Sequence, residues 1–318
     1  MTVPVGADGA LGLYSAVGDA FAGRRLGFGR RRAALAARFA RHRGGDDAAA
    51  AASWTAGALA DIGLIDVVLP ANASPRARLL ALADAPYNGA RLIASLPGVP
   101  GRAADIVRWH REHDDGTGVP DRLRWDGIPA DAAALGIAHA FLEAVEDPEG
   151  PRGPAEALFA IVAESGRKFK VELVRSFREF ITAAAESWDE PLESAIQRPG
   201  DDARTSADDD AAAAARRDDG ALAALAARID ARDSETAGRS ERLADAAANL
   251  AARMGLDAGR AARLARLLAL GRTTESLVHD DFDPLSRFAR ERRAAVAERA
   301  AGIAASVPHY AADAPHLA

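Results

Sequence analysis

Residues 110–120, HREHDDGTGVP, concentrate two histidines, three acids, two glycines and a proline in eleven positions. Imidazoles and carboxylates are common ligands of zinc and iron. Glycine-rich turns present backbone N–H groups to anions. This composition predicts a loop that handles a metal or a phosphate. The loop is also the reference point for the fold, because the motifs that precede and follow it, taken in order, indicate the architecture of the chain.

The segments outside this loop have the periodicity of helices. Apolar residues recur at helical spacing, and no hairpin signal such as Asn-Gly between alternating strands occurs. Two such series are Leu222, Leu225 and Ile229, and Leu243, Ala247, Leu250 and Met254. Gly255 predicts the end of the second helix, and Asp257 predicts the N-cap of the next one. We therefore expect an all-α fold.

Length and composition limit the classes of protein. A chain of 318 residues favours about two domains. The absence of cysteine excludes disulfides and thiolate metal ligands, and a net charge of −6 gives no reason to expect a nucleic acid polymer as partner. No signal peptide is evident, and no run approaches the roughly 20 apolar residues that span a bilayer. We expect a cytoplasmic protein that does not enter a membrane.

The chain also carries an acidic segment and a faint repeat. Residues 198–220 are acidic, padded with alanine and almost free of large apolar groups, which predicts a linker. Residues 24–31 are echoed by residues 235–242, and Ala94–Pro97 by Ala305–Pro308. The second half therefore looks like a shortened duplicate of the first.

Several motifs, taken in order, resemble those of the HD-GYP family, metal-dependent phosphodiesterases that cleave cyclic dinucleotides. They are LGF at 26–28, LADIGL at 59–64, APYNG at 85–89, the loop 110–120 and IAHAF at 137–141. The resemblance covers roughly residues 10–185 and, more weakly, 230–318. It implies an HD-type helical bundle over residues 1–197, an acidic linker over 198–220, and a truncated, degenerate HD-like bundle over 221–318.

The same resemblance implies that most metal ligands of the family are lost. The family's ligand histidines correspond to Phe28, Ala60, Ala85, His110 and Arg111. Only His110 among them is still an imidazole. The bridging aspartate persists as Asp61, and a later aspartate is replaced by His139.

Three interpretations of this residual cluster stay open. In the first, Asp61, His110 and His139 hold one divalent metal, which would be iron, manganese or zinc. In the second, Arg24 and Arg111 replace a carboxylate and an imidazole, and a guanidinium pairs with Asp61 without metal. In the third, the polar groups are relics with no shared role. The two arginines are also candidate phosphate contacts.

The glycines of the loop allow two interpretations as well. Gly116 and Gly118 are candidate phosphate contacts through backbone N–H groups, although Val119 replaces the tyrosine of the family motif. Alternatively, the loop is a turn that connects two helices. Glu112 and Asp115 are expected to cap or to form salt bridges rather than to act in catalysis.

A run of basic residues precedes these motifs. It consists of Arg30, Arg31, Arg32, Arg38, Arg41, His42 and Arg43. Leu35 and Phe39, four residues apart, are expected to form the core face of this helix. The basic residues are then expected to form a solvated face rather than a nucleic-acid-binding stripe.

Two functions follow as hypotheses. The first is a degenerate HD-GYP-like signalling protein with a regulatory or scaffolding role, which does not hydrolyse its ligand and has a cyclic dinucleotide as candidate ligand. A protein partner or a homodimer would fit this role. The alternative is an active metal-dependent phosphodiesterase that acts on cyclic di-GMP through a reduced metal site.

Overall fold

The structure is a computed structural model of the 318-residue chain. It describes residues 7–67, 74–96, 99–146, 153–185, 208–232, 236–273, 288–308 and 310–317. Within these ranges the regular elements are helices, and β-pairing is limited to one isolated bridge between Ser165 and Phe169. The predicted all-α fold with an HD-type bundle is confirmed.

The chain folds into two compact units that interleave in sequence. The first contains residues 28–63 and 79–204, and the second contains 3–27, 64–78 and 205–318. The division at 204 falls inside the segment predicted as a linker, but the first helix and residues 64–78 belong to the second unit. The bounds of these units differ from the predicted domains over 1–197 and 221–318, which stay a prediction.

The segment predicted as a linker also differs, because it is helical from Asp208 onward. Two properties explain the helix. Alanine has the highest helix propensity, and the acids at 208–210 lie at the N-terminus, where the helix dipole favours negative charge. The acidic composition that indicated a linker is therefore also that of a helix start.

Within the described ranges, the first unit is built mainly from seven helices around an aromatic core. They are α2 (Phe28–His42), α3 (Asp47–Leu59), α5 (Ala85–Ala94), α6 (Gly101–Trp109), α7 (Ala130–Glu146), α8 (Pro154–Ala163) and α9 (Val171–Ala185). Phe39 of α2 meets Phe177 of α9 edge-on at 4.9 Å between ring centroids, and Phe141 of α7 meets the same ring at 5.4 Å. Leu35 and Phe39 are buried, so the predicted core face of α2 is confirmed.

The second unit packs an N-terminal helix against four helices from the C-terminal half. They are α1 (Ala7–Phe21), α10 (Asp208–Asp230), α11 (Arg239–Arg253), α12 (Ala258–Thr273) and α13 (Phe288–Ala305). The short helix α4 (Pro75–Ala83) is shared between the two units. Gly255 has a φ of 72°, and the carboxylate of Asp257 accepts a hydrogen bond from the N–H of Arg260 at 3.0 Å. The predicted helix end and N-cap are confirmed.

The two apolar series predicted from periodicity have different surroundings. Leu222, Leu225 and Ile229 are buried in α10, as their spacing predicts. Leu243 and Leu250 do lie on a helix and Met254 directly follows it, but their side chains are exposed, Leu250 by 61% and Met254 by 64%. Helix α11 therefore presents an apolar stripe to solvent.

One described segment is more apolar than the sequence analysis allowed. Residues 47–66 are long and apolar enough to cross a membrane by length and composition. In this structure 83% of the apolar window is buried inside the protein, as in a core helix. The length and hydropathy of the segment are explained by its place in the core of the first unit.

Candidate functional site

The polar centre of the first unit begins with a fully buried arginine on α2. Arg32 has 0% of its surface exposed, so its assignment to the solvated basic face is wrong. The sequence did carry a signal, because Arg32 lies four residues after Phe28 and three before Leu35, on the buried face of the helix. Because arginine is usually exposed, the residue type predicted an exposed side chain, although the position of Arg32 on the helix indicated a buried one.

The side chain of Arg32 is held by specific partners. Its Nε donates to the carbonyl of Gly57 at 2.7 Å, and its Nη1 donates to Oδ2 of Asp61 at 2.6 Å. Its guanidinium also lies over the ring of Phe28, 5.2 Å from the centroid. The contact with Gly57 depends on the missing side chain, since a Cβ there would lie 2.6 Å from the Cα of Ala33. Helices α2 and α3 can thus approach closely enough for the arginine to reach across.

Asp61 lies just after α3 and receives two guanidinium groups. Besides Arg32, the Nη2 of Arg111 donates to its Oδ1 at 3.1 Å. The Asp61 side chain is 2% exposed, whereas that of Arg111 is 38% exposed. Burial alone would raise the pKa of Asp61, but the nearby guanidinium groups outweigh it and hold this pKa well below its usual range. Asp61 is therefore an ionised carboxylate with both oxygens in use.

His110 and His139 lie next to each other in the same pocket. Their rings stack with centroids 5.4 Å apart and an angle of 13° between planes. Nδ1 of His110 lies 2.7 Å from the carbonyl of Val107, which can only accept, so this nitrogen carries the proton. Nδ1 of His139 lies 3.3 Å from Nη1 of Arg32, and its Nε2 lies 3.1 Å from Oε1 of Glu143. Burial lowers the pKa of both histidines, so both are neutral near pH 7.

One imidazole nitrogen in this buried cluster, Nε2 of His110, has a lone pair that no residue in the described part of the chain uses. With the proton on Nδ1, Nε2 of His110 is an acceptor, and it is buried without a hydrogen-bond partner among the described residues. Histidines that bind metals commonly use this tautomer, with the second nitrogen donating to a carbonyl. The orientation of His110 is thus compatible with a ligand role, but this is one donor only.

The whole set does not fit a metal ion. The structure brings Asp61, His110 and His139 together, but a cation would have to displace the guanidinium of Arg32 from Asp61. Across the described ranges, no group of three histidines or acids is arranged to hold a metal. Phe28, Ala60 and Ala85, at the other positions where the resemblance implies ligands, have side chains without a metal donor. The residues of this site therefore do not support chemistry through a metal.

The loop 110–120 is fixed by its own acids. Glu112 is buried and accepts hydrogen bonds from the backbone N–H groups of Asp121 at 2.6 Å and Leu123 at 2.9 Å. Asp115 accepts from both the backbone N–H and the hydroxyl of Thr117. Both acids make structural contacts of the kind expected from the sequence, and they give the loop its shape.

The two glycines serve the same turn. The N–H of Gly116 donates to the carbonyl of His113 at 2.8 Å, so this amide is used within the loop and is not free for a phosphate. Val119 donates in the same way to the carbonyl of Arg111 at 3.0 Å. A Cβ on Gly118 would overlap the backbone of Glu112 and His113. These contacts favour the interpretation of a connecting turn.

Arg24, the other arginine expected in the charge swap, belongs to the second unit. Its backbone N–H donates to the carbonyl of Asp19 at 2.8 Å, and the carboxylate of Asp19 accepts from the N–H of Gly27 at 2.8 Å. These contacts close the turn after α1. The partner that joins Arg111 on Asp61 is Arg32, a residue that the sequence analysis did not select.

Comparison with known proteins agrees with the class of protein that the fold defines, an all-helical bundle of the HD type. Residues 22–173 match the family model described as HD domain. A crystal structure of a cyclic GMP-AMP-specific phosphodiesterase of V. cholerae, V-cGAP3, is similar over 94% of this chain and 88% of that chain. Its TM-score is 0.60 at 17% sequence identity, a likeness that shows the fold. No curated protein matches the chain.

Proposed function

We propose that this chain is a non-catalytic, HD-GYP-like signalling protein. The observation that carries the proposal is the ion pair between Arg32 and Asp61, which places a guanidinium on the carboxylate that the family resemblance assigns to metal binding. Phosphodiesterases of this kind need metal ions to generate a hydroxide and to stabilise charge on the phosphate. With Asp61 engaged by two arginines, that chemistry has no support in the pocket.

Hydrolysis is the direct test. The purified chain is incubated with cyclic di-GMP and with cyclic GMP-AMP in the presence of Mn²⁺, Fe²⁺ or Zn²⁺, and the products are separated by chromatography. We expect no linear dinucleotide above the level of a heat-denatured control. Metal-dependent turnover by the unaltered chain that is abolished by a chelator would instead establish the alternative, an active phosphodiesterase with a reduced metal site.

The edge of this buried cluster offers one group that suits recognition of a cyclic dinucleotide without hydrolysis. Arg111 is partly exposed while one of its nitrogens contacts Asp61, so its remaining N–H groups can donate to a phosphate. The similar solved structure is a phosphodiesterase specific for cyclic GMP-AMP, which makes this compound and cyclic di-GMP the first ligands to try.

Calorimetry shows whether the chain binds a cyclic dinucleotide or has lost this ability. Titration with each cyclic dinucleotide should give saturable binding that weakens in Arg111→Ala. Arg167→Ala is the matched control, because Arg167 is an exposed arginine paired with Glu164. No heat of binding with either compound would leave the non-catalytic role without this ligand.

A protein-binding role is the second candidate, and we propose a second copy of this chain as the partner. Leu243, Leu250 and Met254 form the apolar stripe on α11. Arg239 lies at the start of this helix and Asp257 just beyond its end. An antiparallel copy would bring each arginine opposite an aspartate, as a twofold interface requires.

Molar mass from light scattering tests the second candidate. We expect a dimer for the unaltered chain and a monomer for Leu250→Glu, which introduces a charge into the stripe. Asn249→Glu is the control, because this exposed residue lies on the same helix beside the stripe. A monomer for the unaltered chain at high concentration would overturn this candidate.

A further inference from the structure

We propose that the guanidinium of Arg32 is a resident cation that takes the place of a divalent metal, so that removing it turns the pocket into a metal site. The inference rests on the proposed non-catalytic role and deepens it. It assigns the loss of metal binding to one residue rather than to general decay of the pocket. It also makes a prediction that general decay would not make, namely a gain of binding on truncation.

The guanidinium of Arg32 lies at the position that a cation bound to Asp61 would take. Arg32 is fully buried, and its Nη1 contacts both Oδ2 of Asp61 at 2.6 Å and Nδ1 of His139 at 3.3 Å. A carboxylate oxygen and an imidazole nitrogen are the donors that zinc, iron and cobalt prefer. The charged end of Arg32 thus sits between two groups that would otherwise be available to a cation.

Asp61 requires a positive charge beside it, because a buried carboxylate without a cation is strongly unfavourable. Arg111 supplies one, but it is partly exposed and lies 3.1 Å away. The side chain of Arg32 is excluded from solvent and makes the shorter contact with Asp61. Its removal therefore leaves a buried, ionised carboxylate that is short of positive charge.

Removal of Arg32 leaves donor atoms behind. Nε2 of His110 has no hydrogen-bond partner among the described residues and carries a lone pair. Its ring stacks on that of His139, which places the two imidazoles side by side. In the unaltered chain, Asp61, His110 and His139 are not arranged around an ion. Without the guanidinium, we expect the carboxylate and the two imidazoles to close around one.

The guanidinium itself also fills the site imperfectly. Nη2 of Arg32 is buried and has no hydrogen-bond partner among the described residues. Buried N–H groups are normally paired, because an unpaired one loses its hydration without compensation. A guanidinium that satisfies only part of its donors is what we expect where arginine occupies a pocket built for another cation.

The test uses the full chain with Arg32→Ala, titrated with Co²⁺ and followed by the visible absorption of the bound ion, with Zn²⁺ competition. We expect one equivalent to bind at least about tenfold more tightly than to the unaltered chain, the scale on which single groups near a metal act. Arg30→Ala is the matched control, an exposed arginine two residues earlier on α2, and should leave binding unchanged.

Second variants identify the site. In Arg32→Ala/Asp61→Asn and in Arg32→Ala/His110→Gln, the gained binding should be lost. If Arg32→Ala is poorly folded alone, circular dichroism with and without Co²⁺ decides, because an ion that binds the folded state raises its stability. Refolding by Co²⁺ that depends on Asp61 supports the proposal. Binding no tighter than in the unaltered chain, or refolding that ignores Asp61, overturns it.

The failure of this inference is distinct from that of the proposed function. Hydrolysis by the unaltered chain would refute the non-catalytic role whatever Arg32→Ala binds. An inactive unaltered chain together with an Arg32→Ala variant that binds no metal would refute only the role of Arg32 as a resident cation.

Discussion

Asp61→Asn should destabilise the first unit strongly, because it leaves the charge of Arg32 buried without a full counter-charge. Both side chains of this pair are essentially inaccessible to solvent. Removing one partner of a buried ion pair costs about 3–5 kcal/mol, since the remaining charge is neither hydrated nor paired. The free energy of unfolding, measured by urea denaturation at pH 7, should fall by this amount.

Two comparisons sharpen this measurement. Asp47→Asn breaks the exposed pair with Arg41 and should change the unfolding free energy little. In a double-mutant cycle, Arg32→Met combined with Asp61→Asn should cost less than the sum of the two single changes, because no unpaired charge remains. A loss of less than about 1 kcal/mol in Asp61→Asn, or simple additivity in the cycle, would refute the reasoning.

The pH dependence of the same variant has a fixed sign. The pKa of Asp61 is lowered in the folded protein, whereas an unfolded aspartate titrates near 3.9. Its contribution to stability is therefore present above about pH 4 and is lost as the pH falls through the lowered folded pKa. The gap between the unaltered chain and Asp61→Asn should be constant from pH 7 to about 5 and should narrow only in stronger acid.

Three further changes test other parts of the first unit. Glu112→Gln should cost about 1–3 kcal/mol and speed hydrogen exchange of the loop amides, because a charged acceptor of two N–H groups is lost; unchanged exchange would contradict this. Gly118→Ala should cost about 1–3 kcal/mol through overlap with the backbone. Gly127→Ala is the control, because its Cβ would lie 3.9 Å from its nearest neighbour, and it should lower the free energy of unfolding less. Equal losses of stability in the two variants would argue against the overlap. The unfolding free energy should fall as pH is lowered below about 6.5, because burial lowers the pKa of His110 and His139 and the unfolded chain binds protons first. His139→Asn should make this slope shallower, and an unchanged slope would exclude His139 as its source.

Local rules anticipated much of the helical framework. The core face of α2 at Leu35 and Phe39, and the break between α11 and α12 at Gly255 and Asp257, follow from periodicity and capping. These features depend on residues close in sequence, so the sequence alone contains the necessary information. The same applies to the order of motifs that led to the HD-type bundle.

Tertiary features were less accessible. Arg32 is adjacent to Arg30 and Arg31 in sequence, and only the buried carboxylate of Asp61 explains why a charge lies on the core face. The assignment of α1 to the second unit depends on packing between residues about 200 positions apart, which no local pattern encodes. The stripe on α11 shows a related limit, because periodicity identifies a face of a helix but not what covers it.

The tethered charge of Arg32 has a consequence for how this protein responds to its surroundings. The occupancy of a metal site depends on the concentration of free ions, and chelators unfold proteins whose folded state depends on a bound ion. A guanidinium group is covalently attached to the polypeptide and cannot dissociate from it. The balance of charge around Asp61 is therefore set once, when the chain folds, and we expect the melting temperature to be the same in metal-replete buffer and in excess chelator.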